Sequence, residues 1–244
     1  MIIGGSGIRI LSAVVLGGGV GLVIVRRALR AICSVLMWVV FRPKVSGRGH
    51  IPGDGPFIIA ANHLSFCDHI FIQLATRRPI YFIGKAERLT GKGFRGFVNR
   101  TFFTAIGIIP VVRDGGPGGV AALDTAHGVL ERGDGFGIHP EGTRSPDGQV
   151  YKGRTGVGWL AMATAAPVIP CGLAGTERVQ PAGKLMLRPR RFRMHFGAPM
   201  HFPEHAGLHG SAKARREVTD AVMREVQRLS GLAYVPRYAT SVKA

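Results

Sequence analysis

Short apolar runs recur along most of this chain, separated by longer mixed segments, and that rhythm narrows the folds open to it. The runs are residues 56–61 (Pro-Phe-Ile-Ile-Ala-Ala), 80–83, 106–112, 135–139 and 168–173. Each reads as a strand, being too short for a buried helix. Segments near 66–76, 94–105, 118–131 and 155–165 read as the helices between them. Residues 192–196 alternate basic and apolar side chains and read as an edge or outer strand. A last helix is expected over residues 211–229, with Ser211 as N-cap and Gly231 as its stop. The order is α/β: a mixed, mainly parallel sheet flanked by helices.

Residues 1–41 have another texture. Residues 10–25 carry no charge, and the first acidic residue is Asp54. Arg26, Arg27 and Arg30 follow, then a second apolar run over 31–41 that includes Trp38. Neither run reaches the ~20 residues of a spanning helix. Gly17, Gly18 and Gly19 weaken the first as an autonomous helix. A cleaved signal peptide is disfavoured because arginines, not small residues, follow the apolar stretch. Residues 1–41 are therefore expected to be a retained anchor. It would be a short span or a hairpin dipping into one leaflet, with the arginines at cytoplasmic head groups. The alternative is two ordinary core helices. From 42, through a loop over 47–56, to 244 a single α/β domain is expected.

Charge narrows the partners. Lys and Arg outnumber Asp and Glu 32 to 14, a net charge of +18, yet the mean hydropathy is +0.19. A basic chain with an apolar average suits an anionic phospholipid membrane at the cytoplasmic face of the cell membrane rather than a nucleic acid. Cys33, Cys67 and Cys171 are odd in number and far apart, giving neither a disulfide framework nor a zinc spacing. They read as reduced, partly buried thiols. A nucleophilic role for Cys67 has no second cue.

Chemistry gathers where the expected strands end. Asn62-His63-Leu64-Ser65-Phe66-Cys67-Asp68 follows the first apolar run and leads into a helix. A histidine held there by an aspartate can take a proton from a hydroxyl. Ser65-x-x-Asp68 also matches a capping box, so on this segment alone Asp68 is equally well a helix cap. Residues 107–113 end a second strand with Arg113. Pro140-Glu141-Gly142-Thr143-Arg144-Ser145 follows a third, and residues 168–173 form a fourth with Pro170 inside it. Ligands of open α/β sheets bind near the carboxyl ends of strands. Arginine at such ends suits phosphate, which its planar fork holds with paired hydrogen bonds.

These four segments, in this order over roughly residues 56–173, resemble the motifs of the glycerolipid acyltransferase family typified by 1-acyl-sn-glycerol-3-phosphate acyltransferases. The resemblance implies the glycerolipid acyltransferase fold. It implies transfer of a fatty acyl group from a thioester, acyl-CoA or acyl carrier protein, to the free hydroxyl of lysophosphatidic acid. His63 would be the base and Asp68 its holder. Arg113, Arg144 and Lys85 would bind the acceptor's phosphate. Glu141, Gly142 and Thr143 would shape the acceptor site, and Pro170 the acyl-donor pocket. Lys152 and Arg154 are weaker candidates, more simply read as solvated loop charge. His139 stands where family members often carry an aromatic or aliphatic residue, and His69 is read as pointing elsewhere on its helix. No metal-ligand spacing occurs, so neither metal nor other cofactor is expected beyond the thioester co-substrate. Two rivals remain: an acyltransferase for another lysolipid, glycerol 3-phosphate or a glycolipid, and a non-catalytic basic membrane- or nucleic-acid-binding protein.

Overall fold

The computed structural model describes residues 20–85, 107–111, 118–181, 184 and 186–242. The expected helix over 94–105 and residues 1–19 of the expected anchor over 1–41 lie outside the described residues.

A seven-stranded sheet runs in the order β1-β8-β7-β2-β5-β3-β4. Its strands are β1 (Lys44–Ser46), β2 (Phe57–Ala61), β3 (Ile80–Lys85), β4 (Ile108–Val111), β5 (Gly135–Ile138), β7 (Val168–Ala174) and β8 (Arg193–Phe196). Strands β7, β2, β5, β3 and β4 are mutually parallel. Strand β8 is antiparallel to β7, and β1 parallel to β8, so the sheet is mixed. A separate parallel pair joins β6 (Val150–Tyr151) to β9 (Tyr234–Val235). Strand β2 sits mid-sheet and is buried at every residue, as is β7 beside it. Continuous apolar sequence is what a parallel strand covered on both faces requires.

The two faces have separate cores. Phe57, Ile59 and Ala61 of β2 face α1 (Val20–Phe41) and α2 (Asp68–Ala75). Ile58 and Ala60 face α3 (Gly118–Glu131), α4 (Gly156–Thr164) and α6 (Ala212–Ser230). A short α5 (Thr176–Val179) follows β7. Strand β5 reads Gly-Phe-Gly-Ile because its neighbours' rings lie over it. A Cβ at Gly137 would come within 2.1 Å of the Phe82 ring, and one at Gly135 within 2.4 Å of Phe57. Helix α6 begins as expected: the Ser211 hydroxyl accepts from the Ala214 N–H at 3.3 Å, and Gly231 ends it at φ 68°.

Details of two strands differ from expectation. Strand β8 is an outer strand but not the edge itself, because β1 pairs outside it. That three-residue strand alternates exposed and half-buried residues and has no apolar run to announce it. Strand β3 continues past residue 83 to Lys85. Residues 20–25 of the first apolar run and the whole of the second, 31–41, form one helix, α1; residues 10–19 lie outside the described residues.

Helix α1 is docked on α2 by an unusual anchor. The Arg30 guanidinium donates to the carbonyls of Gln73 (2.9 Å), Thr76 (2.7 Å) and Arg78 (3.1 Å). One turn on, the Ser34 hydroxyl donates to Leu74 O at 3.0 Å. A cation thus satisfies the free carbonyls at the C-terminal end of α2, where the helix dipole favours it. Met37 and Phe41 continue this face into the core, Phe41 against the Phe71 ring at 5.3 Å. The opposite face is apolar and bare: Val35 is 61% and Val39 62% exposed, with Ile32, Leu36 and Val40 beside them. No helix among the described residues is long and apolar enough to cross a membrane.

Replacing Arg30 with Ala should strand three carbonyls at the end of α2. The expected loss is about 1–3 kcal/mol, the usual cost of unpaired buried polar groups. Urea unfolding in detergent would read it as a lowered midpoint; an unchanged midpoint would show that the guanidinium does not hold the helix pair.

Candidate active site

Strand β2 delivers Asn62 and His63 to its carboxyl end. Asn62 extends the strand's pairing with its side chain: Nδ2 donates to Leu173 O at 2.9 Å and Oδ1 accepts from Leu173 N–H at 2.8 Å. The backbone of His63 is held from the other side, its carbonyl accepting from Ser145 N–H at 2.7 Å. Its ring is then fixed by Asp68, with His63 Nδ1 and Asp68 Oδ2 3.0 Å apart.

Asp68 is fully buried at the first residue of α2. The same Oδ2 accepts from the N–H groups of Leu64 (2.6 Å) and Ser65 (2.7 Å). Burial alone would raise this carboxyl, but the His63 hydrogen bond, the charges of His63 and His139 and the Ser65 N–H outweigh it, leaving it below the usual carboxylate range. An ionised Asp68 accepts a hydrogen bond from His63 Nδ1–H, so the Nε2 lone pair is left for a substrate. The bond from Ser65 N–H closes the turn before the helix, but the expected capping box is not formed: Cys67 is the N-cap of α2 and no side chain caps it.

Two more histidines surround the first. The His139 ring stacks on His63, centroids 4.1 Å apart and planes 10° from parallel. Its Nδ1 faces the carbonyls of Ala61 (3.0 Å) and Asn62 (3.2 Å), so it carries the proton there. Burial, then the charge of His63, pushes His139 down to about 3. His69, read from sequence as pointing away, instead lines the same cavity. Burial first, and His63 second, push it down to about 4. Adjacency to Asp68 in sequence hid this: Asp68 lies buried behind His63, while the next residue reaches the cavity wall.

The cavity measures about 900 Å³. His63, His69, His139, Gly142, Thr143, Arg144 and Arg154 line its polar part. Phe82, Ile83, Ile108, Leu123, Phe136, Ile138 and Leu160 line the rest, between the sheet and helices α3 and α4. Among the described residues Arg144 makes no ion pair. Lys85 ends β3 opposite Val111, at the same edge of the sheet as His63; Arg113 lies outside the described residues.

Glu141 and Pro170 stand away from the cavity wall. Glu141 is fully buried and turns inward, its Oε1 accepting from Tyr151 N–H at 3.2 Å. Burial pushes it up to about 8, against the pull of the Tyr151 and His63 N–H groups. Pro170 lies opposite Ala60 inside the sheet, its carbonyl accepting from Gly197 N–H at 2.8 Å. Cys67 is buried, its Sγ 3.2 Å from Gln180 Oε1. Burial and Asp68 push the thiol up to about 12, which leaves it protonated and a poor nucleophile.

Residues 42–174 match a family model described as Acyltransferase. The chloroplastic 1-acyl-sn-glycerol-3-phosphate acyltransferase of Brassica napus is 28% identical over 151 residues, which cover 62% of this chain and 42% of that protein. The similarly named protein of Bacillus subtilis is 25% identical over 187 residues, 76% of this chain and 87% of the other. This chain thus spans less than half the length of the plant relative and most of the bacterial one. A crystal structure of the 1-acyl-sn-glycerophosphate (LPA) acyltransferase PlsC from Thermotoga maritima superposes with a TM-score of 0.64 at 28% identity, covering 91% of this chain and 88% of that one.

Glu141 makes stability depend on pH. It keeps its proton up to about 8 when folded, against about 4.3 for an exposed glutamate. Between those values the folded chain binds the extra proton, so stability falls as pH rises. His69 and His139, neutral when folded, oppose this only below about pH 6.5. From about pH 6.5 to 8 the loss should be roughly 1–2 kcal/mol. Glu141→Gln keeps an acceptor for Tyr151 and should flatten the slope in urea titrations at the two pH values. A slope unaltered in the variant would assign it to another group.

Proposed function

The chain belongs to the acyltransferase family, and we propose that it transfers a fatty acyl group from a thioester, acyl-CoA or acyl carrier protein, to the free hydroxyl of lysophosphatidic acid, giving phosphatidic acid for phospholipid synthesis. The observation that carries this reading is one cavity with three parts: a histidine held by a carboxylate at its wall, an arginine with no ion pair among the described residues on the same wall, and an apolar depth. A phosphorylated, fatty-acylated alcohol has the matching parts. The activities for which the plant, Bacillus and Thermotoga relatives are named agree with it.

On this reading His63 Nε2 takes the proton of the acceptor hydroxyl as its oxygen attacks the thioester carbonyl. A new C–O bond forms, and the carbonyl oxygen carries the negative charge of the tetrahedral intermediate. Collapse restores the carbonyl and breaks the C–S bond, and the thiolate leaves with the proton held by His63. Asp68 keeps the imidazole in the required tautomer and steadies it while charged. Attack is direct, because the one thiol in the motif, Cys67, is buried and protonated. Arg144, with Lys85 and Arg113, would hold the acceptor's phosphate. Proximity and one proton transfer suffice, so no metal or other cofactor is assigned.

The acceptor and the acyl groups reside in a membrane leaflet. A bare apolar face on α1 and a net charge of +18 support attachment to the cytoplasmic face of an anionic membrane. Residues 1–41 would then be the anchor of an acyltransferase domain over 42–244.

Purified protein, palmitoyl-CoA and a panel of acceptors test the reaction. Lysophosphatidic acid should be the preferred acceptor; acylation of another acceptor in its place would overturn the assignment. His63→Ala should lower kcat by ~10²–10⁴-fold, the usual contribution of a positioned base, and near-normal turnover would remove His63 from that role. For attachment, Val35→Glu with Val39→Glu should reduce flotation with phosphatidylglycerol vesicles, and undiminished flotation would place the contact elsewhere.

A further inference from the structure

The C-terminal tail reaches the cavity mouth, and it does so through Arg154. Strand β9 pairs with β6 just after the Pro140–Ser145 motif. The N–H of Lys152 then bonds the carbonyls of Val235 and Arg237, each at 3.1 Å. That places Tyr238 and Thr240 beside the side chain of Arg154. The Arg154 guanidinium lies 5.5 Å from the Tyr238 ring centroid and donates to the Thr240 hydroxyl at 3.2 Å. Lys152 Nζ lies 5.6 Å from the same ring.

Arg154 is also fixed to the motif itself. Its N–H donates to Pro140 O at 2.7 Å, and its side chain crosses Gly142. A Cβ at Gly142 would come within 2.9 Å of Arg154 Cδ, and the φ of 74° there already favours glycine. The glycine of the motif thus makes room for a second arginine on the wall that carries Arg144. Neither guanidinium has an ion pair among the described residues. Asp147, the acid of the same loop, is turned to Ser145 (3.2 Å), Gln149 and the Tyr151 hydroxyl (2.9 Å). Cations gathered without a counter-ion, and steadied by an aromatic ring, form a site for an anion.

We propose that Arg154, steadied by Tyr238 and Thr240, is the second guanidinium of a phosphate-ester site shared with Arg144. Tyr238 acts as a positioning residue, limiting the rotamers open to Arg154 before the ligand arrives. The proposal rests on the lysophosphatidic acid reading, whose acceptor carries a phosphate monoester; the thioester donor is the other possible source of phosphate.

Steady-state kinetics of Arg154→Ala distinguishes the sources. Acceptors are lysophosphatidic acid and the monoacylglycerol lacking its phosphate; the donor is palmitoyl-CoA. Losing one charge-assisted pair should raise a KM about ten- to hundredfold, with kcat within about twofold. A rise for lysophosphatidic acid, with monoacylglycerol unaffected, supports the acceptor's phosphate. A rise for palmitoyl-CoA alone supports the site and gives it to the donor. Arg154→Lys should recover part of the loss, Tyr238→Phe should be silent, and Tyr238→Ala should raise the same KM by a smaller factor. If both KM values are unchanged in active Arg154→Ala, or if kcat falls alone, the phosphate site is overturned. Wild-type protein that acylates another acceptor but not lysophosphatidic acid overturns the functional reading instead, and the donor arm then decides this one.

Discussion

A buried carboxylate governs the architecture of the site. Asp68 is removed from water, and a lone charge there would cost several kcal/mol. Its Oδ2 is answered by three donors, the N–H groups of Leu64 and Ser65 and the His63 ring, all from the five residues before it. Satisfying that one oxygen leaves the strand-to-helix turn a single shape. The turn is then tied outward: Asn62 to Leu173, His63 O to Ser145, and the Ser65 hydroxyl to Gln180 O at 3.4 Å. Each tie reaches a different segment of the chain, so the base is positioned by the fold and not by its own loop alone.

Close approach between layers makes those ties possible. Gly135 and Gly137 let the rings of Phe57 and Phe82 lie against β5, which brings Phe82 to 5.5 Å from His139. At Gly172 a Cβ would come within 2.3 Å of the Ser230 nitrogen, so the end of α6 sits directly on β7. Glycine weakens a strand by itself, yet here it leaves room for a neighbouring strand's ring at 135 and 137 and for the end of α6 at 172. The apolar contact regained there offsets the propensity lost.

Much of the sheet was legible because its strands are continuous apolar runs, a pattern that survives any detail of packing. The His63–Asp68 spacing was legible for a related reason: both partners lie in one turn. Other features have partners far away in sequence. Asn62 meets Leu173 across 111 residues, and Arg30 meets the end of α2 across more than forty. Nothing near either residue announces its partner. The family resemblance of its motif assigns Glu141 to the acceptor site; the glycine after it, at φ 74°, reverses the chain, and the carboxyl turns inward instead. Arg154 looked like loop charge because the tail that steadies it arrives more than eighty residues later.

Charge is sorted by depth in this molecule. The chain carries a net charge of +18, yet the rings around the base are neutral. A proton on His139 would sit against His63 in a stack of 4.1 Å, where two unit charges repel by about 4 kcal/mol even in a partly hydrated setting. A base so placed would lose its affinity for the acceptor's proton. Burial prevents this, and the carbonyls of Ala61 and Asn62 fix the His139 proton on Nδ1, away from the mouth. The stack then presents a neutral face to His63, and on the proposed reading an imidazolium formed there would be answered by Asp68. Positive charge that would hinder proton uptake beside His63 is carried instead by Arg144 and Arg154 elsewhere on the cavity wall, where on the proposed reading it would draw an anion. Moving either arginine one layer inward would place attraction and proton transfer in conflict. The glycine at 142, which lets Arg154 lie across the motif rather than beneath it, is one reason they are not.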